Sequence, residues 1–128
     1  MINQIYDIGV ARQIGTYSDA VLAPAGARWL FTAGTPGLAA DGSLSDDITG
    51  QAELAWTHIT TMLTQAVMDL HDVVKVTQYL RREADIPAYA KVRARFLGDA
   101  RPASMLMVVP GLVRPEFLLE IEVCAAKP

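Results

Sequence analysis

The strongest periodic signal in the chain runs from Asp46 to Leu70. There Ile48, Ala52, Ala55, Trp56, Ile59, Met62, Leu63, Ala66, Val67 and Leu70 recur at helical spacing. A 3.6-residue turn gathers these side chains into one stripe and turns Gln51, Glu53, Thr57, Thr61 and Gln65 toward water. Ser45 or Asp46 can cap the start, where an acidic side chain also complements the helix dipole. A shorter helix is predicted from Asp85, with Pro87 in its first turn, Tyr89, Val92 and Phe96 on its apolar side and Gly98 as its stop.

Between the helices the period changes to two. From Val73 to Leu80 the chain is rich in β-branched residues, with Val74, Val76, Gln78 and Leu80 on one side and Val73, Lys75, Thr77 and Tyr79 on the other, which predicts a strand. Arg28 to Ala33, Ser104 to Val109 and Phe117 to Ala126 read the same way, and Tyr17 to Leu22 reads as a weaker strand ending at Pro24. The order β, β, α, β, α, β, β implies an α+β two-layer sandwich, one mixed or antiparallel sheet with two helices, in a single domain spanning residues 1–128. Two helices cover only one sheet face. The other face needs different cover, which points to subunit association.

The last strand carries candidate chemistry. Alternation puts Phe117, Leu119, Ile121, Val123 and Ala125 on the helix side and Leu118, Glu120, Glu122, Cys124 and Ala126 on the open side. At a rise of about 3.3 Å per residue the two carboxylates stand roughly 6.6 Å apart, too far to share a proton. Such a pair fits a solvated or ion-paired strand face. The functional alternative is a carboxylate in an intersubunit cleft, where desolvation could raise its pKa toward acid–base work.

Composition narrows the partners. Eleven Lys and Arg against fourteen Asp and Glu leave a net charge of −3, so there is no basic field for a phosphate backbone and no nucleic-acid partner is expected. One Cys and two His supply neither a disulfide nor a zinc-ligand cluster, so no metal and no cofactor is expected. An apolar fraction of 52% argues against disorder and again favours an oligomer. The N-terminal residues lack a secretory pattern. The longest apolar run, Met105 to Val113, is interrupted by Pro110 and Gly111 and falls short of the ~18 residues of a membrane span. A soluble cytoplasmic protein without a membrane partner is expected.

Five blocks in order, Ile14-Gly15-Thr16-Tyr17-Ser18-Asp19-Ala20-Val21, Phe31-Thr32-Ala33-Gly34-Thr35-Pro36, Asp72-Val73-Val74-Lys75-Val76-Thr77, Arg101-Pro102-Ala103 and Leu119-Glu120-Ile121-Glu122, make the chain similar to the Rid/YjgF family. The resemblance implies a chorismate-mutase-like fold assembled as a homotrimeric barrel, with small-molecule clefts between subunits. It also implies cofactor-free hydrolysis of reactive enamines and imines, such as 2-aminoacrylate and its imine tautomer, to a 2-keto acid and ammonia. In the family's active pattern an Arg after Pro-Ala grips the substrate carboxylate through its two-pronged fork. A Glu in the last strand positions water, a Tyr near the N-terminus adds a hydrogen bond, and a Ser-Gly pair supplies donors.

Carried over residue by residue, the pattern makes Glu120 and Tyr17 the catalytic candidates and Gly34 a substrate-binding one. Ser104 occupies the arginine's place, Ala33 stands where Ser is usual, Ala90 stands where a neighbouring subunit often gives Asn, and the stretch from Ser104 to Glu120 is one residue longer. A hydroxyl lacks a guanidinium's charge and all but one of its donors, so the expected substrate is a C=N compound other than a simple 2-imino acid. Arg114, in the turn before the last strand, is a candidate replacement and also reads as an ordinary solvated loop arginine. Arg101 is expected to be extended and exposed, Cys124 a small buried hydrophobe, and His58 and His71 solvated. The leading expectation is a divergent enamine or imine hydrolase; the alternative is a non-catalytic small-molecule-binding trimer of the same fold. Ribonuclease activity, also attached to the family's name, finds neither a phosphate track nor an acid–base pair here.

Overall fold

The structure is a computed structural model and describes residues 2–128. Helix α1 (Ile48–Gln65) buries Ile48, Ala52, Ala55, Trp56, Ile59 and Leu63, the stripe expected from the sequence. Its cap is Asp47, whose carboxylate accepts the Gly50 N–H at 2.8 Å, one residue beyond the expected Asp46. Its end comes before the expected Leu70. Met68 N–H donates to the Leu63 carbonyl at 2.8 Å and Val67 N–H to that of Thr64 at 3.0 Å, the paired bonds of a Schellman stop. That stop needs a left-handed residue, and Val67 takes the role at φ +59°.

Helix α2 (Ile86–Leu97) carries Pro87 in its first turn, buries Tyr89, Val92 and Leu97, and closes on Gly98. Stacking of Trp56 on Phe96, with centroids 6.2 Å apart, joins the two helices.

The helices lie on a four-stranded sheet ordered β3-β6-β4-β5, where β3 is Arg28–Phe31, β4 Val73–Leu80, β5 Ala103–Val108 and β6 Leu119–Lys127. Strand β6 runs antiparallel to both β3 and β4, while β5 is parallel to β4, so the sheet is mixed. The core packs β4 and β6 against the helices. Leu119, Ile121, Val123 and Ala125 are buried, and Glu120, Glu122 and Cys124 alternate with them half-buried on the opposite face, as the period of two requires.

A separate antiparallel ribbon pairs β1 (Gln4–Tyr6) with β2 (Ala20–Leu22). Strand β1 has no sequence signal, because three exposed residues show no alternation. The strand expected from Tyr17 shrinks to β2. Ser18 instead makes a single bridge to Ala103, its N–H bonded to the Pro102 carbonyl at 3.0 Å.

Two buried amides refine the pattern. Gln51, expected to face water, is 1% exposed; its Nε2 donates to the Ser45 and Glu116 carbonyls and its Oε1 accepts the Leu118 N–H at 2.8 Å. It ties both flanking loops to α1. Gly37 packs so closely that an added Cβ would stand 2.1 Å from the Gln51 carbonyl oxygen, so only glycine fits there. The open sheet face retains apolar side chains: Trp29 stacks on Phe31 at 6.1 Å, and Met105 and Met107 are exposed on β5. Among the described residues no helix is long and apolar enough to cross a membrane.

Candidate functional site

A cleft of about 410 Å³ opens beside β5, lined by Ile14, Tyr17, Ala90, Arg93, Ser104 and Leu106 among others. That is within the range of small-molecule sites. Tyr17 and Ser104, separated in sequence, thus share one wall. Beneath them Gln78 occupies the β4 phase of Val74, Val76 and Leu80 and is fully buried. Its Nε2 donates to Ser104 Oγ at 3.0 Å and to the Met105 carbonyl at 2.9 Å; its Oε1 accepts from Tyr89 Oη at 2.6 Å and Arg93 Nη1 at 3.0 Å. Both donors and both lone pairs are used, as burial of an amide demands. Burial pushes the Tyr89 phenol above its ordinary pKa of 10.0, against the opposing pull of the Arg93 charge, so its hydroxyl remains a donor.

Glu120 belongs to a second place. It lies on β6 opposite Tyr79, on the sheet face the helices leave open. A Cβ on Gly34 would stand 3.0 Å from its Oε1, so the bare glycine lets the carboxylate rest against the backbone. Among the described residues Glu120 has no ion pair and no side-chain hydrogen bond. Glu122 faces a different small pocket of about 160 Å³ with Phe31, Lys75, Thr77 and Cys124. Cys124 is half-buried there, and its desolvation pushes the thiol pKa up, away from the reactive thiolate.

Within one chain, then, Tyr17 with Ser104 and Glu120 with Gly34 form two separate pairs. Arg114 joins neither. It is exposed, with its guanidinium 5.5 Å from the Phe117 ring centroid. Arg101 is half-buried rather than exposed, because its Nη1 donates to the Gly98 and Ala100 carbonyls at 2.9 Å beyond the end of α2. The histidines are also engaged. His58 is half-buried with Nε2 2.7 Å from the Leu38 carbonyl, and His71 pairs with Asp99 at 2.7 Å, which raises its pKa. No group of three or more His, Cys, Asp or Glu that could hold a metal occurs among the described residues.

Arg93 and Gln78 are the cleft residues that the sequence reading passed over. Their signals were present: an amide in the apolar phase of a strand, and an arginine four residues after the buried Tyr89 on the same helix face.

The family model described as endoribonuclease L-PSP matches residues 10–127. The chain belongs to this family. The L-PSP chain is 33% identical over 125 residues to a RutC family protein of Pyrococcus horikoshii, covering 96% of each. Its fold matches the solved structure of YyfB, a Rid family protein of unknown function from Yersinia pestis, with a TM-score of 0.83 at 25% identity over 99% of this chain and 100% of that one. It also matches RidA from an Antarctic Psychrobacter, with a TM-score of 0.72 at 26% identity over 88% and 89% of the two chains.

Proposed function

We propose that this L-PSP family protein is a homotrimeric hydrolase of C=N or enamine compounds, working in clefts between subunits. The observation that carries the reading is the Glu120 carboxylate: half-buried, without an ionic partner among the described residues, and seated on Gly34 at an uncovered sheet face. A carboxylate so placed can accept a proton from water as the water oxygen bonds to the sp² carbon of an imine. The π electrons move to nitrogen. The proton held by Glu120 then passes to that nitrogen to give a neutral carbinolamine. Glu120 next takes the carbinolamine hydroxyl proton and delivers it to the nitrogen, so that the C–N bond breaks, ammonia leaves, the oxygen keeps the C=O bond and Glu120 is again a carboxylate. Tyr17 and the Gly34 N–H polarise the reacting group.

Two facts support the trimer: the apolar open face with its Trp29–Phe31 stack, and the separation of the two residue pairs within one chain. A neighbour's Glu120 and Gly34 facing the Tyr17 and Ser104 cleft would make one complete site. Ser104 offers a single neutral hydroxyl where an arginine would grip a carboxylate, and that substitution favours a binding-only trimer as the second reading.

A panel of imines, enamines and keto acids, assayed for ammonia release and for binding, separates the two. Once a substrate is found, Glu120→Gln keeps the side chain's shape and removes the base, and turnover is expected to fall by about 10² to 10⁴ with the circular dichroism unchanged. Full activity in Glu120→Gln would overturn the mechanism. Binding without any turnover would favour the second reading.

A further inference from the structure

Arg93 supplies the cleft with a positive charge that no acidic side chain among the described residues of its own chain neutralises. It leaves α2 on the face of Tyr89, its Nη1 donating to Gln78 Oε1 at 3.0 Å and its guanidinium carbon 5.4 Å from the Tyr89 ring centroid. Both partners are neutral. Among the described residues the arginines in ion pairs are Arg12, Arg82 and Arg95, and no acidic side chain lines the cleft. A half-buried guanidinium against the apolar walls of Ile14, Ile86 and Leu106 is poorly solvated, which favours an anionic ligand.

With Nη1 held by Gln78, the Nε and Nη2 hydrogens form a planar two-donor edge, the shape that matches a carboxylate. Ser104 adds a third donor, since its Oγ accepts from Gln78 and keeps its own hydrogen. We propose that Arg93 and Ser104 form a carboxylate-binding subsite for a small acid with an apolar chain. The subsite rests on the reading of this cleft as the ligand site but not on any hydrolysis there.

The guanidinium comes from the helix layer rather than from β5. Its carboxylate therefore lies away from where an arginine at position 104 would hold one. The favoured acid accordingly carries several apolar carbons between its carboxylate and its reacting carbon. A single cation with a planar edge also favours a carboxylate over a phosphate dianion.

The test titrates the full-length protein with pentanoate, its neutral counterpart pentanamide, and inorganic phosphate, following calorimetry and the Arg93 Nε–Hε NMR resonance. Pentanoate is expected to bind at least tenfold more tightly than pentanamide, to weaken with added salt, and to shift that resonance. Arg93→Gln, which retains a donor toward Gln78, is expected to remove the preference, and Arg93→Lys to restore part of it. Should Arg93→Gln fail to fold, the wild-type resonance shift and the pentanoate-to-pentanamide ratio decide the matter alone. Equal binding of the two, no binding of either, tighter binding of phosphate, or a preference that survives Arg93→Gln overturns the subsite. Pentanoate binding without imine turnover leaves the subsite standing and removes the hydrolase; turnover without an anion preference does the reverse.

Discussion

At Ser104 a strand position that resembles an arginine site carries one hydroxyl, and that hydroxyl is occupied as an acceptor for Gln78. A 2-imino acid held there loses a charge-assisted pair worth a few kcal/mol, or about two to three orders of magnitude in rate. The protein is therefore expected to release little ammonia from the imine of 2-aminoacrylate generated in situ, and Ser104→Arg is expected to raise that rate. Turnover matching arginine-bearing relatives would contradict this. The roles proposed for Tyr17, Gly34 and Glu120 rest on resemblance, since each is an unremarkable residue in its local pattern. Arg93 carried only the local signal of its place four residues after Tyr89, because its meaning depends on Gln78, which is 15 residues away in sequence and 3.0 Å away in space.

Among the elements, the end of α1 holds the clearest strain. Val67 adopts φ +59°, which costs an L-residue about 1–2 kcal/mol relative to glycine. The exposed conformation persists because two cations serve the helix end: Arg28 Nη1 donates to the Ala66 carbonyl at 3.1 Å and Lys127 Nζ to that of Val67 at 3.0 Å. Those two residues are cross-strand partners on β3 and β6. Val67→Gly should relieve the strain at some cost in unfolded-chain entropy, with a net gain of about 1 kcal/mol and a melting temperature higher by a few degrees. Calorimetry reads this directly, and an unchanged or lower melting temperature would count against it.

Three residues after Val67 begins the short turn Leu70–Asp72, which His71 and Asp99 link to the segment after α2. The Asp99 hydrogen bond lifts the His71 pKa above its ordinary 6.5, so protonation favours the folded state. That contribution is complete below pH 6.5 and disappears as pH rises through the raised folded value. The pair is exposed and the effect correspondingly small. Thermal melts between pH 5.5 and 8.5 are expected to show the wild type losing its margin over His71→Gln as pH rises; parallel curves would exclude the linkage.

For the whole molecule, the open sheet face is the surface that the proposed homotrimer would cover. Trp29, Phe31, Met105 and Met107 expose apolar surface that two helices on the opposite side cannot cover. Sedimentation equilibrium should report a mass near three times 13.9 kDa. A monomer persisting at micromolar concentration would remove the trimer and the composite site with it.

Periodicity alone determined both helices, the four strands of the main sheet and the face on which Glu120 lies, because side-chain period is a local property of the backbone. The ends were less legible. Asp47 rather than Asp46 caps α1, and the helix stops on a valine where a glycine would have announced the stop. Only the tertiary structure decided that Gln51 is a buried latch, that β1 exists, that Arg101 and the histidines are engaged, and that Arg93 joins Tyr17 and Ser104 in one cleft. Each of these depends on partners distant in sequence, whose desolvation and hydrogen bonding are set by packing rather than by the local order of residues.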